Sequence, residues 1–236
     1  MYKVTTISRN DFDLRDSEAL SSWFSKQPYF DVVIHTAIDG GSRMKQDDNS
    51  VIDNNLKMYY NLVKNQDRYG KLINIGSGAE LYAAHTPYGH SKHIIRQSVL
   101  TKEQFYNVRV FAVFDENELE TRFIKANVLR YIDKQPMVIH QDKKMDFFYM
   151  RDFIEVIKYY INSNSPPKEF DCRYDKSYYL SDIAGKINKL SDYKVDVIFT
   201  NESFALDYVG VYTPIDVSFS GLDAGIQTSY NKLCKI

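Results

Sequence analysis

Leu72-Ile73-Asn74-Ile75-Gly76-Ser77-Gly78-Ala79, followed by Thr86-Pro87-Tyr88-Gly89-His90-Ser91-Lys92, is the stretch on which the reading of this chain turns. The first part is a short, buried-looking strand running into a turn of small residues. In the second, Pro87 suits the first turn of a helix, and Tyr88 and Lys92 then stand one helical turn apart on one face. There an ammonium favours ionisation of a phenol whose ordinary pKa is about 10. Strand, turn and tyrosine-bearing helix in this order predict a βα unit with a proton-handling pair. A second such spacing, Tyr60 and Lys64, falls in a segment that reads as an ordinary amphipathic helix without that setting.

Outward from this unit the same alternation continues. On the N-terminal side, Tyr2 to Ile7 reads as a strand and Asp16 to Ser25 as a helix with Asp16 or Ser17 as its cap. Asp31 to His35 is a continuous apolar strand, and Val51 to Asn65 is a helix. On the C-terminal side, Val108 to Phe114 reads as a strand interrupted by Arg109. Helices are expected at Leu119 to Ile132, Arg151 to Ile161, Tyr179 to Leu190 and Gly221 to Leu233. Extended segments are expected at Met137 to His140, Phe170 to Arg173 and Val195 to Phe199. Strands alternating with helices predict βαβ units, a parallel sheet and the α/β class.

A chain of 236 residues holds one sizeable core, or a core with a smaller lobe. A formal net charge of -1 carries no electrostatic footprint for nucleic acid. No apolar run approaches membrane-spanning length, and Met1 opens no signal-peptide pattern. Cys172 and Cys234 lack metal or redox spacing, so free thiols in a reducing, cytoplasmic setting are expected. His85, His90 and His93 cluster, but no Cys or carboxylate set completes a metal site at ligand spacing.

Several motifs in order give the chain a family likeness. Asp11-Phe12-Asp13-Leu14-Arg15-Asp16, Asp31-Val32-Val33-Ile34-His35-Thr36-Ala37, Gly76-Ser77-Gly78-Ala79-Glu80-Leu81-Tyr82 and Tyr88/Lys92 are joined by two later elements. These are Met145-Asp146-Phe147-Phe148-Tyr149-Met150-Arg151-Asp152-Phe153 and Ser220-Gly221-Leu222-Asp223-Ala224-Gly225-Ile226. Together they resemble the extended short-chain dehydrogenase/reductase family of nucleotide-sugar epimerases, dehydratases and reductases. The resemblance implies a Rossmann-like, doubly wound parallel sheet over residues 1–114 plus 150–174. It also implies a small α+β substrate lobe over residues 115–149 plus 175–236, interleaved with the core. It implies NAD or NADP as cofactor, a nucleoside-diphosphate sugar as substrate and a homodimer as the assembly.

By the same resemblance Tyr88, Lys92 and Ser77 are the candidate catalytic residues. Tyr88 would move a hydroxyl proton, Lys92 would hold the nicotinamide ribose and lower the Tyr88 pKa, and Ser77 would bond the sugar oxygen. Arg9, Asp13, His35, Ala37 and Asn55 are implied around the cofactor, and Arg122 at the substrate diphosphate. The plain readings stand beside these: a solvated strand end at Arg9, a turn residue at Asp13 and a solvated surface charge at Arg122. The chain departs from the family in three places. The pattern is entered at the family's second strand, without the strand and Gly-x-x-Gly-x-x-Gly turn whose backbone approaches a pyrophosphate. Gly78 stands where relatives often carry a catalytic Ser or Thr, and Asp115 where they carry Gly. Tight cofactor binding is therefore not expected, and a non-catalytic relative or an assembly partner stays open as an alternative.

Overall fold

Asp16 marks the first helix as its sequence promised. Its carboxylate accepts the N–H groups of Glu18 and Ala19, both at 3.0 Å. These are orphan donors that no intrahelical bond reaches. The computed structural model describes residues 2–235 apart from 43, 44, 202 and 204. It divides into two compact units, Met1–Val108 with Pro167–Glu169, and Arg109–Pro166 with Phe170–Ile236.

In the first unit the order is α1 (Ser17–Ser25), β1 (Phe30–His35), α2 (Ser50–Lys64), β2 (Tyr69–Ser77), α3 (Ala79–Tyr82), α4 (Pro87–Leu100) and β3 (Phe105–Val110). β1 and β2 are parallel, with Phe30 opposite Tyr69 and His35 opposite Asn74. Apolar faces meet in a core of Leu20 and Phe24 from α1, Tyr59 and Leu62 from α2, Leu72 from β2, and Ile95 and Val99 from α4. Burial of side chains of this size contributes about 1.5–3 kcal/mol each.

Two expectations are corrected. Tyr2 to Ile7 forms no strand; its residues are exposed apart from half-buried Ile7, which packs on that core. β-Branched composition favours a pleated, half-buried surface but supplies no pairing partner, and β1 stands at the edge of its four-stranded sheet. Val108 to Phe114 is not one strand. β3 ends at Val110, and Val113–Phe114 forms a separate strand, β4, which pairs in parallel with Phe148–Tyr149.

The second unit continues with α5 (Phe123–Ile132), β5 (Met137–Ile139), β6 (Lys144–Met145), β7 (Phe148–Tyr149) and α6 (Met150–Asn162). It closes with β8 (Glu169–Cys172), β9 (Tyr178–Tyr179), α7 (Leu180–Ile187), β10 (Val197–Phe199) and α8 (Leu222–Leu233). β3 and β8 carry the chain from one unit into the other and lie side by side in the four-stranded sheet. β5 and β10 pair in parallel, and β6 and β9 antiparallel. Tyr131 and Tyr193 stack at 4.5 Å beside a core that includes Phe114, Val128, Met137, Ile183 and Ile226.

Three buried aspartates of the second unit hold its irregular C-terminal stretch. Asp152 accepts the N–H groups of Ser220 and Gly221 at 2.8 and 2.9 Å, and the Tyr174 hydroxyl. Asp171 pairs with Arg109 and accepts the Val211 N–H at 2.7 Å; Asp146 accepts the Gly210 N–H at 2.7 Å. Among the described residues, no helix is long and apolar enough to cross a membrane.

Candidate functional site

Thr86 caps α4, its hydroxyl accepting the Gly89 N–H at 3.1 Å, and Pro87 fills the first turn. A Cβ at position 89 would collide with the Ala83 carbonyl, so glycine lets the helix start close on the preceding turn. This cap fixes where Tyr88 and Lys92 emerge.

Around them the contacts are polar and specific. The Ser91 hydroxyl donates to the Tyr88 carbonyl at 2.7 Å and accepts from the Asn55 amide at 2.9 Å. The same Asn55 amide takes the Asp39 N–H at 2.8 Å and donates to the Asp39 carbonyl at 3.0 Å. Asn55 thus ties α2 to α4 and to the loop after β1, with its amide engaged by the protein itself. In that loop Gly40 and Gly41 have φ of +76° and +75°, and a Cβ on Gly41 would stand 2.8 Å from the Tyr88 ring. The absence of a side chain at Gly41 lets the loop backbone approach the ring this closely. The Gly41 N–H donates to the Asp47 carboxylate at 2.8 Å.

Lys92 is buried, and its ammonium donates to the Ile75 carbonyl at 2.7 Å. Burial pushes its pKa down to about 8, against a smaller upward pull from Glu80. The Ser77 hydroxyl, at the end of β2, accepts the Ala79 N–H at 3.2 Å, which leaves its own hydrogen to donate. His35 is held down to about 4, by burial first and then by the Lys92 charge. Its Nδ1 lies 3.1 Å from Asn74 Oδ1, and its buried Nε2 has no hydrogen-bond partner among the described residues. Ala37 is half-buried in the loop that β1 feeds.

The remaining expected positions lie further out. Arg9 is exposed. Asp13 accepts the Arg15 N–H and Nε, both at 2.9 Å, and Arg15 draws its pKa down to about 2. Arg15 also reaches Asn54 at 3.0 Å, and Asn54 bonds the Asp39 side chain at 2.7 Å, so Asp13 is linked to the loop through two intermediates. In the second unit Arg122 stands exposed at the start of α5, makes no side-chain cap bond, and has its Nε 4.0 Å from Glu118. His85 and His90 are exposed, and His93 Nδ1 lies 3.2 Å from the Glu80 backbone carbonyl. Among the described residues no group of three or more His, Cys, Asp or Glu could hold a metal ion.

Glu80, Asn74 and Asn107 are the site-region residues that sequence reasoning passed over. The available signal was Asn74 itself, a polar residue inside an otherwise apolar strand. Such a residue demands a partner when buried.

The family model for the NAD dependent epimerase/dehydratase family matches residues 2–172. No relative of curated function is detected by sequence. Among solved structures, a GDP-D-glycero-L-gluco-heptose synthase of Campylobacter jejuni, determined with NADPH, is 14% identical with a TM-score of 0.77. That match covers 100% of this chain and 91% of the other. A GDP-mannoheptose C4 reductase of the same organism, with NADP bound, is 14% identical with a TM-score of 0.75, covering 97% and 90%. A point mutant of the UDP-glucuronic acid 4-epimerase of Bacillus cereus, in complex with UDP-4-deoxy-4-fluoro-glucuronic acid and NAD, is 17% identical with a TM-score of 0.71, covering 94% and 80%. At these identities the likenesses establish a Rossmann-like α/β fold.

Proposed function

The chain belongs to the NAD-dependent epimerase/dehydratase family, and we propose that it acts on a nucleoside-diphosphate sugar, changing one sugar carbon by epimerisation, dehydration or reduction. The observation that carries this reading is the capped α4, with Tyr88 under the Gly41 backbone and Lys92 buried on the Ile75 carbonyl. NAD or NADP, when bound, would supply the hydride acceptor or donor at that carbon.

The chain's own residues would handle protons and orientation. Tyr88 takes or returns the proton of the sugar hydroxyl. The Lys92 ammonium, with its pKa brought down to about 8, stabilises the phenolate by its charge. Ser77, whose hydroxyl hydrogen is unclaimed by the Ala79 contact, donates to the sugar oxygen. Arg122 would grip the diphosphate as a forked donor in a substrate lobe placed at residues 115–149 plus 175–236. His35, Ala37 and Asn55 would line the cofactor side, with Asn55 acting by holding the Asp39 loop and α4 in place. Arg9 and Asp13 would stand at its adenosine end.

The test is turnover. The purified chain, given UDP-, GDP- and dTDP-hexoses with each nicotinamide, is expected to change a sugar carbon in a way followed by NMR. Substrate consumed equally well by Tyr88→Phe would remove the assignment.

One observation favours a second reading, a non-catalytic relative that binds a sugar nucleotide or serves an assembly. The nicotinamide-end residues fit the cofactor, but its pyrophosphate end is not matched. In the Gly40–Gly41 turn, the Gly41 N–H is already given to the Asp47 carboxylate. A fixed anion there repels a second one. Charge-assisted hydrogen bonds contribute about 1.5–3 kcal/mol each, so losing several leaves NAD(P) at about millimolar affinity. Fluorescence titration with NADH and NADPH measures this directly. Micromolar binding would restore the ordinary enzyme reading, and sugar-nucleotide binding without turnover would favour the second.

A further inference from the structure

The turn into α5 is closed by a carboxyl group that does not come from the cap position itself. Arg122 stands at that position, and a guanidinium has donors only, so it offers nothing to the orphan N–H groups of the first turn. Glu118, four residues earlier, reaches them from the preceding loop: its Oε1 accepts the Lys125 N–H at 3.3 Å. In return the Lys125 ammonium donates to the Glu118 backbone carbonyl at 2.9 Å. The two residues thus clasp each other twice, a reciprocity like that of a capping box. The loop between them is folded to match, with the Glu118 N–H on the Asp115 carbonyl at 3.3 Å and the Arg122 N–H on the Leu119 carbonyl at 2.9 Å.

The clasp engages only one carboxyl oxygen. Glu118 Oε2 lies 4.0 Å from Arg122 Nε, beyond hydrogen-bond reach, and the Glu118 side chain is 12% exposed against 43% for Arg122. A carboxyl so far out of water either keeps its proton or needs an opposite charge beside it. Burial pushes Glu118 up to about 7, against a downward pull from the Lys125 N–H and the Arg122 charge; Asp115 adds to the rise, and the Lys125 charge opposes it least. Glu116, the remaining carboxylate of this turn, is taken by Lys232 of α8. The Lys125 ammonium is committed to a carbonyl, so Arg122, half in solvent, is the facing cation with room to move.

We propose that Glu118 is a proton-operated hold on Arg122. Neutral, it caps α5 and leaves the guanidinium free; ionised, it draws the guanidinium in and engages its fork. Glu118 is then a positioning residue, acting through Arg122. Only the consequence for substrate rests on the Arg122 role proposed above: a diphosphate finds the fork free below neutral pH and competes with a carboxylate above it.

The experiment reads Arg122 itself, with no substrate present. Protein carrying 13Cδ-labelled glutamate and 15Nε-labelled arginine is titrated by NMR, each side-chain signal assigned through its own backbone amide. Glu118 is expected to titrate near pH 7, and the Arg122 Nε signal to shift with the same midpoint. In Glu118→Gln that Arg122 shift is expected to vanish. In Arg122→Gln the Glu118 midpoint is expected to rise by about 0.3 pH unit or more, because a cation that favours the carboxylate is gone. A Glu118 midpoint near the ordinary 4.5, or an Arg122 signal that does not follow Glu118, would overturn the proposal. If Glu118→Gln fails to fold, Arg122→Gln decides, since it alters an exposed side chain; an unmoved Glu118 midpoint there overturns the hold.

The step to substrate is read separately, by calorimetry with UDP-glucose and GDP-mannose on either side of neutral pH. Affinity is expected to fall several-fold from the acid to the alkaline side in the native chain and to stay level in Glu118→Gln. Level affinity in the native chain would overturn that step. If neither probe binds while Arg122 follows Glu118, the function proposed above fails and the hold stands.

Discussion

The two compact units treat buried charge in opposite ways. In the second, each buried aspartate is closed off by donors aimed straight at it. Asp171 has Arg109 and the Val211 N–H, Asp152 has the Ser220 and Gly221 N–H groups with Tyr174, and Asp146 has Gly210 and Ser177. In the first, the Lys92 ammonium donates to the Ile75 carbonyl, and His35 bonds the Asn74 amide while keeping an unpartnered nitrogen among the described residues. The closed arrangement pins a stretch of chain that has little regular structure of its own. The open one leaves Lys92 and His35 below their ordinary values, Lys92 at about 8 and His35 at about 4, each pushed down first by burial.

The sharpest way to break this contrast is Asp152→Ala. It orphans two part-buried backbone N–H groups and a half-buried tyrosine hydroxyl, and is expected to cost about 3–5 kcal/mol of stability in urea denaturation. A loss below about 1 kcal/mol would mean that Asp152 is no anchor.

The next effect lies in the first unit and depends on pH. His35 is held at about 4 against an ordinary 6.5, so between those values the unfolded chain binds more protons than the folded one. Its contribution is complete above pH 6.5 and is lost as pH falls toward 4, by about 3 kcal/mol. Glu118 in the second unit has the opposite slope. Burial pushes its carboxyl up to about 7, so its contribution is present below about 4.5 and fades as pH rises through 7. The His35 effect is therefore read as the difference between native protein and His35→Gln, with denaturation curves at pH 7 and pH 4.5. Parallel losses in both proteins would remove it.

Third comes Tyr88→Phe. It is expected to lower any sugar-nucleotide turnover at least ~10²-fold while leaving the melting temperature within a few degrees. A large loss of stability with little loss of rate would move Tyr88 to the structural side of the comparison.

The smallest effect concerns assembly. Tyr59 is buried on α2 while its neighbour Tyr60 is 44% exposed. Helices α2 and α4 are expected to meet their copies in a symmetric dimer, weakened several-fold by Tyr60→Ser. Sedimentation showing a monomer at high micromolar concentration would exclude it.

How much of this was legible from the residues differs by element. α1, α2, α4 and α6 and the strands β1 and β2 were readable because each carries its own evidence. An Asp cap, a Pro suited to a first turn, a 3.6-residue apolar stripe or a largely apolar run needs no knowledge of distant residues. Tyr2–Ile7 was misread because a strand exists only through a partner, and its composition says nothing about whether one is there. The break after Val110 was hidden because Phe111 and Ala112 continue the apolar run while the backbone changes sheet. Tyr88 and Lys92 were found by spacing. Glu80 was not, because a carboxylate in a small-residue turn looks like surface until Asn107, many residues later, is seen to bond it. Gly41 shows nothing in the sequence of what it touches, and only the fold places it on Tyr88.

That last contact reaches into the gene. Position 41 combines a φ of +75° with a tyrosine ring 2.8 Å from where a side chain would begin. Every missense change of a single base in a glycine codon introduces a residue with a Cβ. The codon thus has no conservative missense step: whatever residue replaces Gly41 must displace the ring of Tyr88 or unbend the loop. Random mutagenesis of this chain should therefore return position 41 with third-base changes alone among its folded, unperturbed clones.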